Sequence, residues 1–249
     1  MFWRELQRWR GVVLVAITAV GIGVLAVSGQ LVLYIHPRYV VFTIVMVVLA
    51  LVFVVVAVLL AGRGDDEAPS SPLARILALG GVAIALVVSV GMLVIPPATL
   101  SSVTAGQRDL NGAALGSSAA SLDEAASAPQ ASFASFTVVD WASLLRQTSD
   151  LEFYRDKPVD VVGFITPDPV DPENIFYVSR FFVTCCAVDA QPAGVPVYLP
   201  GWSSTLSADQ WVRVRGSFAA TPSPASDQPL SVIPESVDPT EQPSEPYLF

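Results

Sequence analysis

The chain has 249 residues, of which 53% are hydrophobic and only 14% charged, against about a quarter charged in an ordinary soluble domain. That balance points to a membrane protein. The formal net charge of −9 repels phosphate backbones, so nucleic acid is not an expected partner.

Charge is unevenly placed. Residues 1–97 carry six basic and four acidic side chains, and residues 98–249 carry seven basic and eighteen acidic, leaving net charges of +2 and −11. A bilayer core needs about 20 apolar residues in a helix, and three stretches meet that length: 11–35, 39–61 and 76–95. The first follows "MFWRELQRWR". Its apolar run is too long for a signal-peptide core and lacks an A-x-A site, so a retained helix is expected, with Trp3 and Trp9 as interfacial anchors. Between the first two spans stands "YIHPRY", a tight turn set by Pro37 that holds His36, the chain's one histidine, and Arg38. His36 and Arg38 read either as headgroup-level turn residues or as polar contacts for a partner or a metal.

Orientation follows the distribution of Lys and Arg. Arg4, Arg8, Arg10, Arg63 and Arg75 fall on one side of the membrane, and Arg38 and Arg108 on the other. The N-terminus is then cytoplasmic and everything after residue 98 extracytoplasmic, which places the chain as a multi-pass protein of the plasma membrane.

Residues 99–132 are rich in Ser, Ala and Gly and read as a linker. From residue 133 the pattern changes. "FASFTVV" reads as a strand, and Asp140 as the cap of a short amphipathic helix, "WASLLRQ". "PVDVVGFI", the long run "NIFYVSRFFVTCCAV", "GVPVYL", "QWVRVRGSF" and "PLSVIPESV" read as further strands, the long run being bent or bulged. The expected fold is therefore membrane-anchored: three transmembrane α-helices (1–98), a linker (99–132), and a small all-β domain (133–249) with one short helix. An OB-like barrel is the first choice for that domain and an open sandwich the second.

Cys185 and Cys186 are the only cysteines and are adjacent. On a regular strand they would point to opposite faces. Neighbouring Cα atoms lie about 3.8 Å apart, too close for an unstrained disulfide. Asp189 follows Cys185 by four residues and would share its face, which outlines a thiolate–carboxylate metal site for zinc or copper. A strained, redox-active disulfide and a packed core cysteine remain the alternatives. The sequence has no G-x-S-x-G, no H-E-x-x-H and no phosphate-binding glycine loop, and no histidine after residue 36 to complete a Ser-His-Asp triad. A non-enzyme is expected.

Taken together, "YIHPR", "PPATLSS", "RFFVTCCAVDA", "DQWVRVRG" and the terminal "PYLF" resemble the bacterial YcgQ-like membrane proteins, the DUF1980 family. The resemblance implies an accessory subunit working beside a separate multi-span permease in the lipid bilayer, with metal ions as the suspected cargo. It also marks His36, Arg38, Arg180, Cys185, Cys186 and Asp189 as the residues carried over. A membrane-tethered metal-binding or thiol-redox module acting without a permease is the alternative.

Overall fold

In a computed structural model of the chain, the described residues are 2–60, 80, 83, 84, 87, 91, 99–112 and 120–249. The chain divides into two compact units, Met1–Ala98 and Thr99–Phe249.

In the first unit, helix α1 (Phe2–Val27) and helix α2 (Val40–Leu60) are joined by two 3-10 turns, Gln30–Leu33 and Pro37–Tyr39. Gly29, at φ 72°, ends α1 in the left-handed conformation that suits glycine. His36 Nδ1 accepts the Arg38 N–H at 3.1 Å and so caps the second turn. The helices pack through Leu14, Thr18, Ala19 and Ile22 on α1 and Met46, Val47 and Ala50 on α2, leaving a groove of about 350 Å³.

The expectation of three spans does not hold. Among the described residues, one helix, Pro37–Leu60, is long and apolar enough to cross a membrane, with a mean hydropathy of 3.4 and no part of that window buried. At 1.5 Å per residue, its 24 residues reach about 36 Å, more than the hydrocarbon thickness of about 30 Å. The first expected span is cut short: its apolar helix covers only Gly11–Val27, because the break at Gly29 turns residues 30–33 into a 3-10 turn. The third, 76–95, lies outside the described residues except at 80, 83, 84, 87 and 91.

The second unit holds helices α3 (Ser102–Gly106), α4 (Leu122–Ser127), α5 (Val138–Gln147) and α6 (Leu151–Tyr154). Its strands are β1 (Val159–Pro167), β2 (Ile175–Phe182), β3 (Gln191–Tyr198), β4 (Trp211–Ala220), β5 (Leu230–Pro239) and β6 (Tyr247–Leu248). The six strands form one mixed sheet in the order β1-β4-β5-β3-β2-β6. The β3–β5 and β2–β6 pairs are parallel and the rest antiparallel. β1 pairs with both β4 and β2, through Val159–Phe164 and Phe164–Pro167 respectively, so five strands close on one another and β6 extends β2.

The expectation of three spans followed by an all-β, OB-like domain with a single helix is therefore corrected at both ends of the chain. The second unit is a mixed sheet dressed by several helices. "FASFTVV" is not a strand: Gln130–Ser135 is a 3-10 helix, and Val138 and Val139 open α5. A capping box outweighs their β propensity. The Thr137 side chain accepts from Asp140 N–H, and the Asp140 carboxylate accepts from Thr137 N–H at 2.8 Å. Thr137, not Asp140, is the cap. The described parts of the expected linker, 99–112 and 120–132, belong to this unit as well.

One face of the sheet makes the core. Val161, Ile165, Phe176, Val178, Val212, Val214 and Phe218 pack with Trp141 and Leu144 of α5, and Trp141 meets Phe218 at 5.2 Å between ring centroids. Residues of opposite parity face the other way. There, Phe164 meets Phe181 at 5.6 Å and Trp211 at 5.9 Å, and Phe181 meets Tyr247 at 6.4 Å. Both faces of β2 are thus covered, which is why all of it except Arg180 is buried.

Candidate metal centre

β2 and β3 are antiparallel neighbours whose pairing ends at Phe182 and Gln191. Residues 183–190 form the loop between them, and both cysteines lie in it, not on a strand as the run of β-formers suggests. The loop is built from below. Val183 N–H donates to Leu248 O at 2.9 Å, tying its first residue to β6. Asp189 N–H donates to Cys186 O at 3.0 Å and makes the turn. The Asp189 carboxylate then reaches back along the chain: Oδ1 accepts from Thr184 N–H at 3.2 Å, and Oδ2 from Cys185 N–H at 2.8 Å and Cys186 N–H at 3.4 Å. Successive backbone N–H groups converging on one anion form a nest.

This turn removes the strand geometry that would have separated the thiols. Cys185 and Cys186 are free, with their sulfurs 3.5 Å apart. Ligand atoms of Cys185, Cys186 and Asp189 all lie within 4.8 Å of one another. Cys185 is exposed, while Cys186 and Asp189 are half-buried.

The electrostatics follow from the contacts. The hydrogen bond with Asp189, followed by that with Cys186, pushes the Cys185 thiol up to about 12. Burial raises the Asp189 carboxyl, but hydrogen bonds from the Cys185 thiol and from the backbone of Cys185, Thr184 and Cys186 outweigh it and hold the group below its ordinary value. The cluster sets the Cys185 thiol, held protonated, against the ionised Asp189 carboxylate, with the Cys186 sulfur 3.5 Å from that of Cys185. A metal ion would replace the proton and draw on two sulfurs and one carboxylate oxygen. Zinc and copper both accept such donors.

A residue outside the sequence-derived set supports the loop. The Arg108 guanidinium donates to Ala190 O through Nη1 and to Val188 O at 3.4 Å through Nη2. Three residues on, Asn111 sits against β3: its side chain donates to Gly194 O at 2.9 Å and accepts Gly194 N–H at 2.7 Å, and its own N–H donates to Pro192 O at 3.0 Å. The signal in the sequence was "QRDLNG", a charged, turn-forming patch within the Ser/Ala/Gly-rich stretch.

The remaining sequence-derived residues do other work. Arg180 holds the C-terminal segment, donating to Pro246 O at 2.9 Å and Glu245 O at 2.6 Å, with its guanidinium 5.4 Å from the Trp211 ring centroid. Burial lowers its pKa to about 10, against the opposing charge of Glu245. His36 and Arg38 belong to the helical hairpin of the first unit, where His36 meets Tyr39 edge-to-face at 6.2 Å and Arg38 lies 5.5 Å from the Tyr39 ring.

Family models match both parts of the chain, the DUF1980 N-terminal domain over residues 9–111 and the DUF1980 C-terminal domain over residues 120–249. The chain belongs to the DUF1980 family. No curated protein and no solved structure matches it. In this DUF1980 chain, segments that are far apart in sequence meet around one end of the sheet. Leu100 N–H donates to the Tyr247 hydroxyl at 3.1 Å, and Ser102 N–H to Asp209 Oδ1 at 2.5 Å. The described part of "PPATLSS", residues 99–102, is thereby tied to "DQWVRVRG" and "PYLF", and the segment bearing the cysteines joins them through Val183 and Leu248.

Proposed function

We propose that this DUF1980 protein is an accessory subunit of a multi-span membrane permease for metal ions, and that the Cys185–Cys186–Asp189 loop is its ion-binding element. The observation that carries this reading is the convergence of two thiols and a carboxylate on an exposed loop. The Pro37–Leu60 helix, long and apolar enough to cross a bilayer and with no part of its apolar window buried, supports attachment to a lipid bilayer. The raised pKa of the Cys185 thiol works against thiol–disulfide chemistry, which needs the thiolate. No enzymatic step is assigned.

Gentle solubilisation from the native membrane, followed by affinity purification of the full chain, tests the partner. Co-purification of a polytopic membrane protein is the expected result. Recovery of the chain alone, still able to bind metal, would instead make it a tethered metal-binding module without a permease.

A further inference from the structure

We infer that the site takes a divalent ion of tetrahedral preference, of the zinc class, through Cys185, Cys186 and Asp189. This rests on the metal-binding reading above and specifies the ion and its mode of attachment.

The spacing of the sulfurs decides the geometry. Two thiolates bound to one ion at about 2.3 Å each, with sulfurs 3.5 Å apart, subtend an angle of about 100° at the metal. A tetrahedral angle needs only about 0.3 Å more separation at that bond length. A linear two-thiolate site, as a monovalent soft ion would favour, needs sulfurs about 4.6 Å apart at the same bond length. The sulfurs sit about 1.1 Å too close for it. Their arrangement in this loop matches the bent coordination.

The donor set agrees. Two sulfurs exclude calcium and magnesium, which take oxygen ligands. A carboxylate beside them suits a borderline ion better than a soft one. Asp189 Oδ2 already accepts two backbone N–H groups, whereas Oδ1 accepts one. Oδ1 therefore keeps a lone pair for the ion, and Asp189 binds through one oxygen while its other contacts fix its orientation. Histidine is absent from the second unit, and Cys185, Cys186 and Asp189 are the group that converges among the described residues. With Cys185 exposed, the ion can be taken up and surrendered by ligand exchange, which suits cargo.

The test is a titration of the full-length, detergent-solubilised, reduced protein with Co(II), then Zn(II), and separately with Cu(I), each against a chromophoric chelator. The expected result is one Co(II) per chain with the intense d–d absorption of tetrahedral cobalt and a thiolate-to-metal charge-transfer band, both erased by one equivalent of Zn(II). Cys185→Ser should remove about half of the charge-transfer intensity. Asp189→Asn should weaken Zn(II) by at least about tenfold, the lower end of what even an outer-shell change costs. Binding of Cu(I) through both thiols, with Zn(II) and Co(II) ignored or cobalt octahedral, would overturn the ion class and leave metal binding standing. Failure of all three ions to bind, with both thiols still open to alkylation, would overturn the metal-binding reading itself.

Discussion

Asp189 Oδ2 accepts the backbone N–H of Cys185 at 2.8 Å, four residues earlier in the chain. That contact folds the loop back on itself and sets a negative charge beside the Cys185 thiol. In the metal-free protein it keeps the thiol protonated, at about 12 instead of the ordinary 9.0. Asp189→Asn removes the charge and keeps one carbonyl acceptor. A full return to 9.0 would raise the thiolate fraction at neutral pH by about a thousandfold, while the lower basicity costs about 16- to 30-fold in intrinsic nucleophilicity. The net expectation is a thiol that reacts with an aromatic disulfide up to about 30- to 60-fold faster at pH 7. An unchanged rate would mean that Asp189 does not control this thiol.

Arg180 acts at a distance from that chemistry, on the strand that leads into the loop. Its two short bonds to Glu245 O and Pro246 O are charge-assisted, and each such bond contributes about 1.5–3 kcal/mol. Arg180→Ala should cost about 3 kcal/mol and loosen β6, whose register partners among the described residues are Phe181 and Phe182 of β2. Lysine cannot reproduce a two-pronged grip and should rescue little. Hydrogen exchange at Val183, whose N–H donates to Leu248 O, reads the loosening directly. Protection equal to that of the parent protein would rule out the clamp.

What the sequence conveyed and what it hid follow from the range of the interactions. β4 was legible because its alternation is local: Val212 and Val214 are buried while Arg213 and Arg215 are exposed. The cysteines and Asp189 were legible as a set, yet their strand assignment was wrong, because β propensity continues past Phe182 while a side-chain-to-backbone nest ends the strand. Val138 and Val139 misled in the same way, since the reciprocal Thr137–Asp140 cap outweighs two β-branched residues. The placement of 99–112 was illegible in composition because it depends on partners far along the chain, Gly194 for Asn111 and Asp209 for Ser102.

Between β1 and β4, Asp160 receives two hydrogen bonds from Arg213, at 2.7 and 2.6 Å, with Arg215 3.6 Å away. The hydrogen bond from Arg213 is the largest influence on Asp160; partial burial opposes it, and the charges of Arg213 and Arg215 add to it, so the carboxyl titrates below its ordinary value. A depressed folded-state pKa stabilises the protein above the unfolded-state value of about 3.9, and that contribution disappears as pH falls through the folded-state value. Because both arginines are exposed, the effect should be at most about 1 kcal/mol. Asp160→Asn is expected to lower the thermal midpoint at pH 7 by up to about 2–4 °C, with the gap to the parent protein closing as pH falls through the depressed folded-state value. A gap that stays constant across the acid range would show that the charge on Asp160 contributes nothing.

Closure of the sheet depends on a glycine at the point where β1 passes from β4 to β2. Gly163 pairs with Val212 in β4, and the next residue, Phe164, is the one that pairs on both sides. A Cβ at position 163 would lie 2.5 Å from Ser179 O and 2.9 Å from Val178 Cγ1. The first of these is backbone and cannot swing away, so Gly163→Ala must push β2 off β1. Overpacking of this kind typically costs about 1–3 kcal/mol, and a backbone obstacle puts this case near the upper end. At Gly106, the last residue of α3, an added Cβ would meet nothing within 4 Å, so Gly106→Ala is the matched control and should change stability by less than about 1 kcal/mol. Chemical denaturation of both variants, with hydrogen exchange along Phe164–Pro167, separates the two cases. Equal stability of the two variants would mean that the β1–β2 seam tolerates a side chain and that Gly163 is not what lets the strands close.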